Sequence, residues 1–145
     1  MKKRILFVFF SIAVILIVGE HMFGSPLVKY NNYHLKQNMQ TISESEVTLN
    51  SVVPFEWDTV YTFPPYTSKA KIEKTIGFES NEIKETVNEG MVNLLFVKGN
   101  TVTGSICDYP KNLGYSIEFK DKVKFKDNVV FEVNIQDGMA SLTKK

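Results

Sequence analysis

The sequence predicts an α+β protein: an N-terminal transmembrane or signal helix, then a two-layer domain with two short helices on one face of an antiparallel sheet. Three observations predict it. A positive Met1-Lys2-Lys3-Arg4 start precedes a long apolar run. Short segments of period-two alternation follow, separated by turn dipeptides such as Gly99-Asn100 and Asp137-Gly138. Between them, only two windows combine helical spacing with cap residues.

The 145 residues allow one domain besides the leader. Residues 5–19 carry no charge, and the run from Ile5 to Phe23 would measure roughly 28 Å as a helix, near the ~30 Å hydrocarbon core. Glu20 and His21 then fall at the far interface, where polar groups reach water. Residues 1–24 are therefore expected to be a signal anchor or signal peptide that ties the chain to a membrane. Cleavage favours small residues in an A-x-A-like pattern. The candidates Ile17-Val18-Gly19, Met22-Phe23-Gly24 and Phe23-Gly24-Ser25 each begin with a bulky residue, which favours an uncleaved anchor. The basic start places that end in the cytoplasm and the rest outside. The expected location is a cell membrane, single-pass with the C-terminal domain outside, or secreted if the leader is cleaved.

Residues 25–46 are polar, with Leu27, Tyr30, Leu35, Met39 and Ile42 scattered without a sustained stripe. They read as a partly helical stalk, with Tyr30 and Tyr33 as surface tyrosines or as headgroup-level residues. The extracytoplasmic α+β domain is expected over residues 47–145. Trp57, Thr59, Tyr61 and Phe63 alternate onto one face of a strand that Pro64-Pro65 ends, since neither proline can donate to a ladder. Thr67 and Ser68 then cap a helix containing Ile72 and Ile76 and stopped by Gly77. A second helix is expected from Ser80 to Gly90, with Glu82 and Glu85 near its positive end and Ile83 and Val87 buried. Helices this short need a sheet to rest on. Strands follow at residues 91–98, 101–108, 115–119, 123–125, 129–135 and 139–142.

Charge and composition exclude several chemistries. Removing Lys2, Lys3 and Arg4 from 17 basic residues, and Glu20 from 16 acidic ones, leaves 14 lysines against 15 acids after residue 24. Arg4 is the sole arginine, so that portion has no guanidinium fork for phosphate or base edges, and no nucleic-acid partner is expected. Both histidines, His21 and His34, precede the expected domain, and Cys107 is the one cysteine. No disulfide within the chain, metal site, cofactor or imidazole-dependent nucleophile is expected, and Cys107 should be a small buried apolar residue.

Two surfaces remain as candidates. The first is an aromatic–proline corner, with Trp57, Asp58, Tyr61, Pro65 and Tyr66 as a platform for a peptide, glycan or protein. The alternation itself equally makes Trp57, Tyr61 and Phe63 a core stripe, with Asp58 turned away to serve a turn or edge hydrogen bond. The second is a period-two lysine row of Lys120, Lys122, Lys124 and Lys126 on one strand face, suited to an anionic envelope polymer or lipid headgroups. Its plainer role is to guard a sheet edge against pairing. Glu56, Asp58, Asp108, Glu118 and Glu132 could include a glycosidase-like pair, but a domain this small has little room for a polysaccharide cleft.

The run WDTVYTFPPYTS followed by KIEKTIG resembles a motif of small bacterial secreted or membrane-anchored proteins, W-D-x-x-Y-x-F-x-P-Y-[ST] before a short helix ending in Gly. The resemblance spans about 20 residues and implies an envelope protein; it carries over no activity and no site residue. The resulting expectation is a membrane-tethered, extracytoplasmic binding or accessory module of a bacterial cell envelope, without catalysis. The alternatives are a self-protection (immunity) or inhibitor protein on the outer face of the membrane, and a small hydrolase.

Overall fold

The computed structural model describes residues 24–145. The expected membrane segment therefore lies outside the described residues, and within them no helix is long and apolar enough to cross a membrane. The elements in order are α1 (Pro26–Met39), β1 (Glu46–Thr48), α2 (Leu49–Val52), β2 (Thr59–Thr62), α3 (Lys69–Ile76), β3 (Val92–Lys98), β4 (Thr101–Asp108), α4 (Pro110–Leu113), β5 (Tyr115–Glu118), β6 (Lys122–Lys124), a 3-10 turn (Phe125–Asp127), β7 (Val130–Gln136) and β8 (Met139–Lys144).

The fold is α+β, but it holds two four-stranded sheets where one was expected: β1-β7-β8-β5 and β4-β3-β2-β6. Adjacent strands run antiparallel except β5 and β8, which pair in parallel from Tyr115 opposite Ala140 to Glu118 opposite Thr143. The main core gathers side chains from both sheets: Phe131, Leu142 and Ile117 from the first, Val60, Leu94, Phe96 and Val123 from the second. A second cluster lies on the other face of β4-β3-β2-β6, where Leu95, Val97 and Val102 meet Val28 of α1, Ile72 of α3 and Ile83.

The β3–β4 hairpin turns at Gly99-Asn100 as the dipeptide predicts, with Gly99 at φ +56°. Its register slips after the Phe96–Gly104 pair, so that Val97 lies opposite Val102 and Thr103 is the extra residue of a bulge. Gly104 leaves room for the core here: a Cβ would stand 2.9 Å from Cζ of Phe55 and 3.1 Å from the Phe96 ring. At the β7–β8 turn, Asp137 and Gly138 both take positive φ, as a type I′ turn requires.

Three further expectations are corrected. Residues 25–46 are not a stalk: α1 is part of the globule, with Leu35 and Met39 both 0% exposed in the main core. Its buried side also carries Asn31, whose side chain donates to the Thr103 carbonyl at 2.7 Å. Next to it, Asn32 clamps the β4 edge from both sides, donating to the Ser105 carbonyl (2.8 Å) and accepting the Ser105 N–H (3.0 Å). An amide side chain can present one donor and one acceptor, so α1 satisfies an edge that would otherwise be open. α1 also brings His34 into the globule, on its outer side in ring contact with Tyr30 and Tyr33, so the domain is not free of imidazole.

The second correction is the helix expected from Ser80 to Gly90, which is irregular chain. Its backbone carbonyls are taken by neighbours instead: Glu82 by the Ser105 hydroxyl (2.6 Å), Thr86 by the Tyr66 N–H (2.7 Å). Ile83 is buried as expected, whereas Val87 is 64% exposed. The carboxylates are spent elsewhere too. Glu82 accepts the Ser25 N–H at 2.7 Å at the start of α1, and Glu85 accepts the Lys69 N–H at the start of α3, where helix dipoles favour negative charge. α3 itself follows its sequence signals, from Ser68, which accepts the Lys71 N–H, to Gly77 at φ +92°.

The third correction concerns phase. Trp57 and Tyr61 do not share a face, because the chain bends at Asp58 before β2 begins at Thr59. Trp57 enters the main core with Val60, while Tyr61 and Phe63 pack against the second cluster on the other side of the sheet.

Candidate functional site

The residues of the aromatic–proline corner are dispersed. Trp57 is 2% exposed, its ring edge-on to Phe96 (5.9 Å between centroids) and to Phe125 (5.3 Å), which removes it from any platform. Asp58 ties the β3–β4 turn: one carboxylate oxygen accepts the Gly99 N–H at 2.8 Å and the other meets the Lys98 ammonium at 3.1 Å. The Gly99 N–H, then the Lys98 hydrogen bond, hold its carboxyl below the usual carboxylate range. Tyr66 is exposed at φ +66°, with Pro65 half-buried beside it. Of the five residues, Tyr61 is the one with an aromatic face turned to a groove.

The lysine row is broken as well. Asp121 sits at φ +61°, and the Lys122 N–H folds back on the Lys120 carbonyl at 2.8 Å, so the strand starts only at Lys122. Beyond Lys124 the chain winds into the 3-10 turn that holds Lys126. A positive φ costs little at Asp and breaks strand periodicity, which spacing alone does not reveal. Lys122 and Lys124 thus remain on one face of β6, and Lys120 and Lys126 lie outside the strand.

What the fold brings together is one member of each candidate set. In the antiparallel β2–β6 register Tyr61 lies opposite Lys122, and the Lys122 ammonium stands 6.0 Å from the centre of the Tyr61 ring. Phe63, two residues along the same face, stacks on Tyr61 with centroids 6.1 Å apart and planes 11° from parallel. Across from them, α3 supplies Lys71 and Thr75, one helical turn apart. With Asp121 they line a groove of about 370 Å³, near the lower end of the ~300–1,000 Å³ usual for ligand sites.

The groove's chemistry follows from this lining. Tyr61 and Phe63 are half-buried rings that pack nearly parallel, with the Lys122 ammonium over the Tyr61 ring. Neither Lys71 nor Lys122 is in a salt bridge among the described residues, and the Lys122 ammonium faces the Tyr61 ring. Asp121 is the one carboxylate in the lining, and no imidazole or thiol joins it. Sequence reasoning named Tyr61 and Lys122 but missed Lys71 and Thr75. Their i, i+4 spacing was visible; the docking of α3 over β2 was not.

The acidic set is scattered. Asp108 accepts an Asn112 amide hydrogen at 2.8 Å and the Tyr109 N–H at 2.7 Å, which hold its carboxyl low. Glu132 lies opposite Glu46 in the β1–β7 register, and none of the five acids lines the groove. Among the described residues no group of three or more His, Cys, Asp or Glu side chains could hold a metal ion. Cys107 is half-buried rather than fully buried, in the wall of a cavity of about 270 Å³ with Lys84 and Tyr115, and burial pushes its thiol up. A wider cavity of about 530 Å³ beside the β7–β8 turn includes Lys111, Gln136, Asp137 and Met139 in its wall. Comparison with known proteins finds no family model, no curated protein and no solved structure that matches this chain.

Proposed function

We propose that the chain is a non-enzymatic binding module tethered to the outer face of a bacterial membrane, and that the Tyr61–Phe63 groove receives an acidic sugar of an envelope polymer. The observation that carries the reading is the stacked Tyr61–Phe63 pair in a groove whose lining also includes Lys71 and Lys122, the Lys122 ammonium lying over the Tyr61 ring. A sugar ring presents C–H bonds whose positive ends suit the negative face of an aromatic ring. A carboxylate or phosphate on that ring then lies within reach of two lysines. The tether rests on the apolar run at residues 5–23 behind its basic start.

Replacing both groove lysines tests it. In Lys71→Gln/Lys122→Gln, binding to a fluorescent uronic-acid oligosaccharide should weaken about 10- to 30-fold at low salt, from about 1 kcal/mol per lysine near an anionic surface. Lys120→Gln/Lys126→Gln keeps the same net charge change but lies outside the β6 strand, and should weaken binding less than about 3-fold. All four side chains are exposed, so melting temperatures should hardly move. Equal weakening by the two pairs would mean diffuse charge attraction, and the groove reading would fail.

A further inference from the structure

α1 has two unlike sides. Val28, Asn31, Leu35 and Met39 face the domain. The opposite side, at helical spacing, shows Leu27 (52% exposed), Tyr30 (62%) and Tyr33 (60%), with the His34 ring 4.2 Å from Tyr30 and 5.4 Å from Tyr33. Lys29 stands exposed at the margin of this side. Three aromatic rings and a leucine next to one another on open surface are unusual for a helix with a purely structural duty, and none of the described residues covers the face.

The position of this face in the chain identifies its occupant. Phe23 ends the apolar run and Pro26 begins α1, so two residues join them. Ser25 is already fixed to the domain by the Glu82 carboxylate. A chain this short reaches about 10 Å at most, and the headgroup layer on each side of the hydrocarbon is about 5–8 Å thick. A domain tethered by residues 5–23 therefore carries the start of α1 at headgroup depth. Tyrosine rings, apolar in body and polar at the tip, are stable there, as is a leucine dipping below them with a lysine reaching back to water.

We propose that the outer face of α1, through Leu27, Tyr30 and Tyr33, lies on the lipid surface and docks the domain flush onto the bilayer. The inference rests on the tether proposed above. Where a stalk would let the domain swing, the Ser25–Glu82 hydrogen bond and this contact together fix its orientation.

The test uses the full chain with Cys107→Ser, in vesicles of phosphatidylcholine and phosphatidylglycerol. Nitroxide labels are placed at Tyr30→Cys, Tyr33→Cys and, for reference, Lys126→Cys, all of them exposed positions. Power saturation compares collisions with oxygen, which enters lipid, and with a water-soluble nickel complex. The oxygen-to-nickel ratio should be at least 3-fold higher at positions 30 and 33 than at 126. Equal ratios in protein that resists an alkaline carbonate wash would overturn the docking and leave the tether standing. Release by the wash would overturn the tether and the docking with it. Dipolar broadening between labels at position 30 would show that a second copy covers the face, which also refutes a lipid contact.

Discussion

Trp57→Ala should cost the domain about 3–5 kcal/mol, a large part of the roughly 5–15 kcal/mol that holds a typical domain folded. The indole is the largest side chain in the main core and joins parts of the chain that are distant in sequence: Phe96 of β3 on one side, Phe125 of the 3-10 turn on the other. Truncation removes both edge-to-face contacts and leaves a void in the main core. Urea unfolding of the full chain in mild detergent reads the loss as a fall in midpoint at unchanged slope. A Trp57→Ala protein within about 1 kcal/mol of the parent would place the ring outside the core.

The second large effect belongs to α1. Leu35→Ala should cost about 2–5 kcal/mol, because Leu35 is fully enclosed between α1 and the main core. Tyr30→Ala, on the opposite side of the same helix, should fall within about 0.5 kcal/mol of the parent in detergent. The contrast separates a structural helix from a spacer. If residues 25–46 merely held the domain away from the membrane, both substitutions would be silent in the same unfolding measurement.

Why α1 was hard to read is visible in its composition. Its buried side runs Val28, Asn31, Leu35, Met39, and the asparagine interrupts what would be an apolar stripe. Asn31 is tolerated there because the Thr103 carbonyl accepts its amide hydrogen, a partner 72 positions away in sequence. Features set by neighbouring residues were legible: the Gly99-Asn100 and Asp137-Gly138 turns, the Ser68 and Gly77 ends of α3, and the strand positions after residue 91. Features set by distant partners were not. The parallel β5–β8 pair and the division into two sheets are long-range pairings. Glu82 and Glu85 do meet backbone N–H groups at helix starts, but those of α1 and α3, while the Ser80 hydroxyl only accepts the Glu82 N–H within irregular chain.

The candidate site was legible by halves. Period-two spacing named Tyr61, and it named Lys122 within a row of four. It could not show that Asp58 bends the chain ahead of β2, which sends Trp57 to the core and leaves Tyr61 and Phe63 outside it. Nor could it show that Asp121 at positive φ interrupts the lysines. Once β2 and β6 pair, Tyr61 and Lys122 become neighbours, and α3 completes the groove with Lys71 and Thr75.

Chemical-shift mapping on the isotope-labelled full chain, titrated with a short uronic-acid oligosaccharide, tests the binding surface most directly. The account predicts saturable shifts confined to Tyr61, Phe63, Lys71, Thr75, Asp121 and Lys122, with the aromatic resonances moving most. Shifts centred instead on Lys84 and Cys107 or on the β7–β8 turn, or none at millimolar sugar, would contradict it.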